Sequence, residues 1–182
     1  MRLRTTSFGG STPQLGVALV AVVASVTTVG AAVVTPRPID APGLRREIAA
    51  LKGKVVVVNL WATWCSGCMD EFPDLARVEK ADNTAGMRLL TVSFDDAKNI
   101  SKAVTPFLAK MHLTTGIFVN KTGTVMDESY PTLFEPKLSS DDPFGLPRTY
   151  IFDRRGKLVK VFVGAQTYAG FQKVIQPLLK ER

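Results

Sequence analysis

Two cysteines three residues apart, Cys65 and Cys68, stand where an unbroken apolar run, Val55 to Leu60, gives way to a helical pattern. A strand that enters a helix through Cys-x-x-Cys reads as a redox site. Residues three apart share a helix face, so both sulfurs can meet across the first turn. Cys65 would take the position where free backbone N–H groups and the positive end of the helix dipole favour a thiolate. Cys68, one turn deeper, would be less exposed. One attacking and one resolving sulfur is what thiol–disulfide exchange through a mixed disulfide requires.

Two plainer uses of such a pair compete with that reading. Structural zinc would need two more soft ligands, and the chain holds no third cysteine and a single histidine, His112, so no metal site is expected. A purely structural disulfide would close a loop too short to remove much entropy from the unfolded chain.

Around this stretch the hydrophobic pattern lays out alternating elements. Leu44 to Leu51 reads as a short amphipathic helix ended by Gly53, and Lys54 to Trp61 as a strand buried on both faces. The next helix runs from about Cys65 to Ala81, with Met69, Phe72, Leu75, Ala76 and Val78 inward and a kink expected at Pro73. Met87 to Phe94 is a second strand ended by Asp95-Asp96, Ile100 to Met111 a crossover helix, and Ile117 to Val119 a short strand closed by a turn at 120–123. Residues 126–144 carry three prolines and five acidic side chains, which reads as a surface insertion with at most one short helix. Thr149 to Phe152, a polar turn and Lys157 to Val163 form an antiparallel hairpin, and Tyr168 to Leu179 a last helix. The order predicts an α/β fold, a central mixed β-sheet flanked by helices on both faces.

Leu15 to Val34 is twenty residues without a charge. As a helix it would reach about 30 Å, the thickness of a bilayer's hydrocarbon core. Arg2 and Arg4 precede it and no acidic residue appears before Asp40, which places residues 1–14 in the cytoplasm and the rest across the membrane. A signal peptide cleaved near Val29-Gly30-Ala31 is the competing reading; signal h-regions are usually shorter, so a retained anchor at 15–34 is favoured. Thr35-Pro36-Arg37-Pro38 reads as an extended linker, 35–43, ahead of a globular domain at 44–182. The net charge of +7 is scattered, with no aromatic groups interleaved in a basic patch, so nucleic acid is not an expected partner. Proximity to anionic headgroups accounts for the surplus.

With these elements in order, the chain resembles the membrane-anchored TlpA/ResA type of thioredoxin-fold thiol:disulfide oxidoreductase. Val56 to Pro73 is similar to that family's signature almost residue by residue, and Gly145 to Asp153 is similar to its G-x-P-x-T segment, about 80 residues later. The resemblance implies a thioredoxin fold with an N-terminal transmembrane helix. It implies Cys65 as nucleophile, Cys68 as resolving thiol, and Pro147 as a cis-proline lying against the disulfide. It places a carboxylate, Glu71, near the cysteine pair, able to take or return a proton when Cys68 is activated. Backbone flanking Pro147, at Leu146, together with Trp64, Ser66 and Gly67, would hold an extended substrate, while Trp61 belongs to the core. No cofactor is implied beyond the redox-active disulfide. Asn59 stands where cytoplasmic thioredoxins carry a buried aspartate, and Arg148 where the cytochrome c maturation branch, the CcmG/DsbE type, carries an acidic residue. Ser66-Gly67 brings no positive charge to the cysteines, so nothing local lowers the thiol pKa strongly.

The expected activity is reduction of protein disulfides at the inner membrane, single-pass, with the catalytic domain on the periplasmic or extracytoplasmic side. A transmembrane electron donor is then implied, because a reductant in an oxidising compartment must be regenerated. An oxidase or isomerase on the same fold is the alternative within the class. Outside it stands a module holding copper or a partner through the pair, with Met69 or His112, without turnover. A peroxidase would need a threonine and a proline ahead of a lone reactive cysteine, and here the cysteine is paired.

Overall fold

The computed structural model describes Gly9 and residues 35–113, 116–124, 126–136 and 144–181. The chain divides into two units, Met1–Ala31 and Ala32–Arg182, and the architecture below is that of the second. The expected anchor at 15–34 lies outside the described residues. Among those that are described, no helix is long and apolar enough to cross a membrane.

β2 (Val55–Trp61) is buried at every position, as its continuous apolar sequence requires of a strand covered on both faces. It carries the rest of the sheet. β3 (Met87–Ser93) runs parallel to it, β4 (Ile117–Asn120) parallel to β3, and β1 (Arg37–Ile39) parallel to β4. On the other side β5 (Arg148–Phe152) pairs antiparallel to β2, and β6 (Leu158–Val163) antiparallel to β5, giving the order β1-β4-β3-β2-β5-β6. The mixed sheet is thus as expected. The stretch 35–43, expected as a linker, instead supplies β1 and the start of a helix. Pro38 disguises the strand in the sequence, and it is tolerated because β1 is an edge.

The helices follow from their caps and apolar faces. α1 (Ala41–Ala50) starts three residues earlier than expected because Asp40 caps it, accepting from Gly43 N at 2.8 Å. α2 (Ser66–Asp82) buries Cys68, Glu71, Phe72, Leu75 and Val78, with Pro73 inside it. The crossover to β4 joins Ala97–Asn99, a π-helical turn at Ile100–Val104 and Thr105–Lys110, together α3. Pro106, which has no N–H for a bond back along the helix, falls just past the π turn. Gly116 then enters β4 at φ +67, where a Cβ would collide with the Leu89 carbonyl. α5 (Tyr168–Lys180) packs on α2, with Tyr168 N donating to Asp74 at 2.8 Å and Gln176 to Asp82 at 2.9 Å. Phe107 of α3 reaches the rings of Phe72 and Trp61, so α2, α3 and α5 share one face of the sheet.

The opposite face is covered by α1 and by part of the segment expected as a surface insertion. Within it α4 (Ser129–Thr132) is the single short helix among the described residues, and its Tyr130 is fully buried. The Tyr130 hydroxyl donates to the Ile39 carbonyl and, at 3.2 Å, to Asn120. Phe134 packs on Tyr150 and Phe152, and Phe144 on Phe94. Prolines and acidic residues suggested a surface loop, but these aromatic side chains tie it into the core. Glu135 completes the seam. Both of its oxygens take bonds of 2.8 Å from Arg148, which is completely buried, and Oε1 takes a third from Tyr150.

Removing that carboxylate should therefore be costly. Glu135→Ala is expected to lower the unfolding free energy by about 3 kcal/mol, the low end for breaking a buried pair because Glu135 is partly exposed. A urea transition with a lower midpoint and unchanged slope would show it. A loss below about 0.5 kcal/mol would put the pair among ordinary surface bridges.

Candidate active site

At the C-terminal end of β2 the chain turns sharply into α2. Cys65 N donates to Ala62 O at 3.2 Å, closing a turn with Thr63 and Trp64 at its centre. Cys65 itself is the N-cap of α2, and its sulfur accepts from Cys68 N at 3.1 Å. The sulfurs of Cys65 and Cys68 are bonded to each other, with the Cα atoms 5.2 Å apart. The expected asymmetry is present: Cys65 is 9% exposed and Cys68 is 1% exposed.

Across from the pair, the Leu146–Pro147 peptide is cis. A Cβ built on Gly67 would lie 3.5 Å from Pro147 Cδ and 3.9 Å from Ala165 Cβ, so the residue between the cysteines packs directly on the proline. The Pro147 carbonyl is taken by Gly164 N at 3.0 Å. Trp64 stands out at the rim, 51% exposed, whereas Trp61 is fully buried against Phe72 at 4.4 Å. Ser66 is exposed, and Gly67 and Leu146 are half-buried. Seven of the eight residues singled out in the sequence therefore meet at one end of the sheet; the eighth, Glu71, lies one turn deeper on the same helix face as Cys68.

Glu71 is 1% exposed and bound on three sides. Oε1 accepts from Asn59 Nδ2 at 2.8 Å and from Thr149 Oγ1 at 3.4 Å, and Oε2 accepts from Gln166 N at 2.8 Å. Burial pushes its carboxyl from 4.5 up to about 7, against the hydrogen bonds from Gln166, Thr149 and Asn59, which pull it down. A carboxyl poised near neutrality one turn from Cys68 can hold or release a proton at little cost. Asn59 is thus not a proton carrier but the amide that orients Glu71, and it also donates to Thr149 Oγ1 at 2.9 Å.

As partners of Glu71, Thr149 and Gln166 escaped the sequence reading, which has Thr149 only in the G-x-P-x-T segment and at the start of a strand. Thr149 sits two residues beyond Pro147 on a strand, so the period of two could have placed it on the α2 face. Gln166 contributes a backbone N–H and leaves no sequence signal. His112 is not brought to the cysteines: it borders a groove with Ala76, Arg77 and Lys80, at least about 12 Å further along α2 from Cys68. Among the described residues no cluster of three or more His, Cys, Asp or Glu side chains could hold a metal ion.

The AhpC/TSA family model matches residues 38–161, from β1 through the hairpin. The chain belongs to the AhpC/TSA family. Among curated proteins, this AhpC/TSA chain is 32% identical over 130 residues to the thioredoxin-like protein YneN of Bacillus subtilis, covering 69% of this chain. It is 30% identical over 128 residues to the thiol-disulfide oxidoreductase ResA of the same organism, covering 70%. The matches span less than two thirds of those relatives, 65% and 63% of their length. A thioredoxin family thiol:disulfide interchange protein from Chlorobium tepidum superposes with a TM-score of 0.56 at 24% identity, over 72% of this chain and 83% of that one. That likeness establishes the thioredoxin fold.

The raised carboxyl has a consequence for stability. Folded, Glu71 titrates near 7, against 4.5 as an ordinary carboxyl. Between those values the folded chain binds the extra proton, so this group's contribution is full below pH 4.5 and is lost as pH rises through 7. Relative to Glu71→Gln, the oxidised protein is expected to lose on the order of 3 kcal/mol across that window. Parallel stability–pH curves for the two proteins would contradict the assignment.

Proposed function

We propose that this AhpC/TSA chain is a membrane-tethered thiol:disulfide oxidoreductase that reduces protein disulfides outside the cytoplasm. The observation that carries the reading is the Cys65–Cys68 disulfide at the start of α2, packed through Gly67 against cis-Pro147. Two relatives named for or near this chemistry support it.

In the reduced protein the Cys65 thiolate attacks one sulfur of a substrate disulfide. A Cys65–substrate disulfide forms and the other substrate sulfur leaves as a thiolate, to be protonated. Cys68 then gives up its proton and attacks Cys65, which restores the internal disulfide and releases the second substrate thiol. Glu71 accepts the Cys68 proton, since it is ionised for part of the time near pH 7 and lies on the same helix face. Two electrons pass to the substrate in each cycle, so a donor must return two. The tether at 15–34 would keep the domain beside a transmembrane electron donor. Trp64, Ser66, Gly67 and Leu146 form the rim on which an extended substrate segment would lie.

Cys68→Ser should accumulate a mixed disulfide between Cys65 and a protein substrate, visible as a reducible adduct on a non-reducing gel. A reduced variant that forms no adduct with any protein disulfide would count against the cycle. The direction is read from the reduction potential. A value near that of thioredoxin, about −270 mV, fits a reductant, and one near about −120 mV would make the protein an oxidase.

A further inference from the structure

Behind the turn that delivers Cys65 lies a carboxylate that the exchange cycle does not use. Asp95 follows β3 directly and is 2% exposed. Its Oδ2 accepts from Thr63 N at 2.9 Å and from Ser93 Oγ at 2.8 Å, and its Oδ1 accepts from Thr63 Oγ1. Both donors of Thr63, the second residue of the Ala62–Cys65 turn, are thus held by one carboxylate. The turn keeps its ends within about 7 Å, which sets the carboxylate on the order of 10 Å from the Cys65 sulfur.

None of these donors is charged, and Asp95 forms no ion pair among the described residues. The nearby cations are engaged elsewhere. Lys121, which borders the same small cavity from the β4 side, pairs with Asp40 at 3.7 Å. Lys98 on α3 pairs with Asp96 at 3.3 Å. Arg148 on β5 is turned to the opposite face of the sheet and bound to Glu135. On α2 the acidic groups near the cysteines are the exposed Asp70 and the buried Glu71, whose carboxyl burial pushes up to about 7, and Ser66-Gly67 offers no cation to offset Asp95.

We propose that Asp95 is a positioning residue for the exchange reaction: through Thr63 it fixes the turn before Cys65 and sets a buried negative charge behind the attacking sulfur. Like charges in a low-dielectric interior repel far more than in water, so the Cys65 thiolate becomes costlier to form. Destabilising the thiolate destabilises the reduced pair, and the couple becomes more reducing. The inference rests on Cys65 being the sulfur that attacks, as in the proposed cycle, and on nothing about the substrate.

Two substitutions separate charge from geometry. In Asp95→Asn the amide oxygen can replace Oδ2 toward Thr63 N and Ser93, while the NH₂ donates to Thr63 Oγ1, so the contacts stay and the charge goes. Thr63→Val keeps the charge and the backbone bond and deletes the hydroxyl. The readouts are the pH profile of Cys65 alkylation by iodoacetamide in the reduced full-length protein and the equilibrium with glutathione. For Asp95→Asn the alkylation midpoint is expected to fall by about half a pH unit or more, roughly a threefold rise in thiolate below the midpoint. The glutathione equilibrium should move about threefold toward the dithiol. Thr63→Val should leave the alkylation profile in place.

A folded Asp95→Asn protein with the parent's profile overturns the proposal, and so does a Thr63→Val profile that shifts equally. If the amide does not fold, Asp95→Ser, neutral and with room for a water, replaces it; failure of both to fold also overturns it, by assigning Asp95 to the frame alone. A parent that reduces no protein disulfide, while Asp95→Asn still shifts Cys65, would sink the proposed activity and support the role of Asp95.

Discussion

The pairing of β2 with β5 is the constraint on which the site depends. Asn59 lies opposite Thr149 and Leu60 opposite Arg148, bringing together segments 90 residues apart in the chain. This register sets Pro147 one step beyond Leu60, level with the turn that carries the cysteines. It also points Asn59 and Thr149 to the same face, where Glu71 descends from α2 to meet both. A slip of one residue would turn Thr149 to the α1 face and drive the Arg148 guanidinium toward Glu71. Turn, proline and carboxyl are therefore correlated through one ladder of backbone hydrogen bonds.

Buried polar groups make that register expensive to violate. Glu71, Asn59 and Thr149 are each at most 1% exposed, and each finds partners only in the native pairing. On the other face Arg148 and Tyr150 converge on Glu135. An unsatisfied buried polar group costs on the order of 1–3 kcal/mol, and more if charged, so two polar seams on opposite faces of β5 exclude neighbouring registers more sharply than apolar packing alone. The electrostatic consequence is local to the cysteines. Glu71 lies one turn beyond Cys68 on α2 and Asp95 holds the turn before Cys65, while the helix N-terminus and its free N–H groups favour the thiolate.

Much of this was legible along the chain, because it obeys local rules. The buried run of β2, the Cys-x-x-Cys spacing and the period of α2 each follow from neighbours within a few residues, whereas the core and rim places of Trp61 and Trp64 came from the family resemblance. β1 was missed because Pro38 reads as a linker unless one knows that the strand lies at an edge. Tyr130, Phe134 and Phe144 were missed because charge and proline density in 126–144 hid aromatic side chains whose partners, Phe94, Tyr150 and Phe152, come from distant strands. Gln166 reached Glu71 through a backbone N–H, which every residue but proline possesses.

By itself the sequence determined the elements from α1 onward outside 126–144, their order, the cysteine pair and the α/β class, since propensity, capping and hydrophobic period are short-range properties of the chain. Only tertiary structure decided that Glu71 is buried beside Asn59 and Thr149 with its carboxyl near neutrality, that Asp95 grips Thr63, and that Arg148 turns away toward Glu135. Each of those depends on desolvation and on charges brought together by strand register, and neither quantity exists until the sheet has closed.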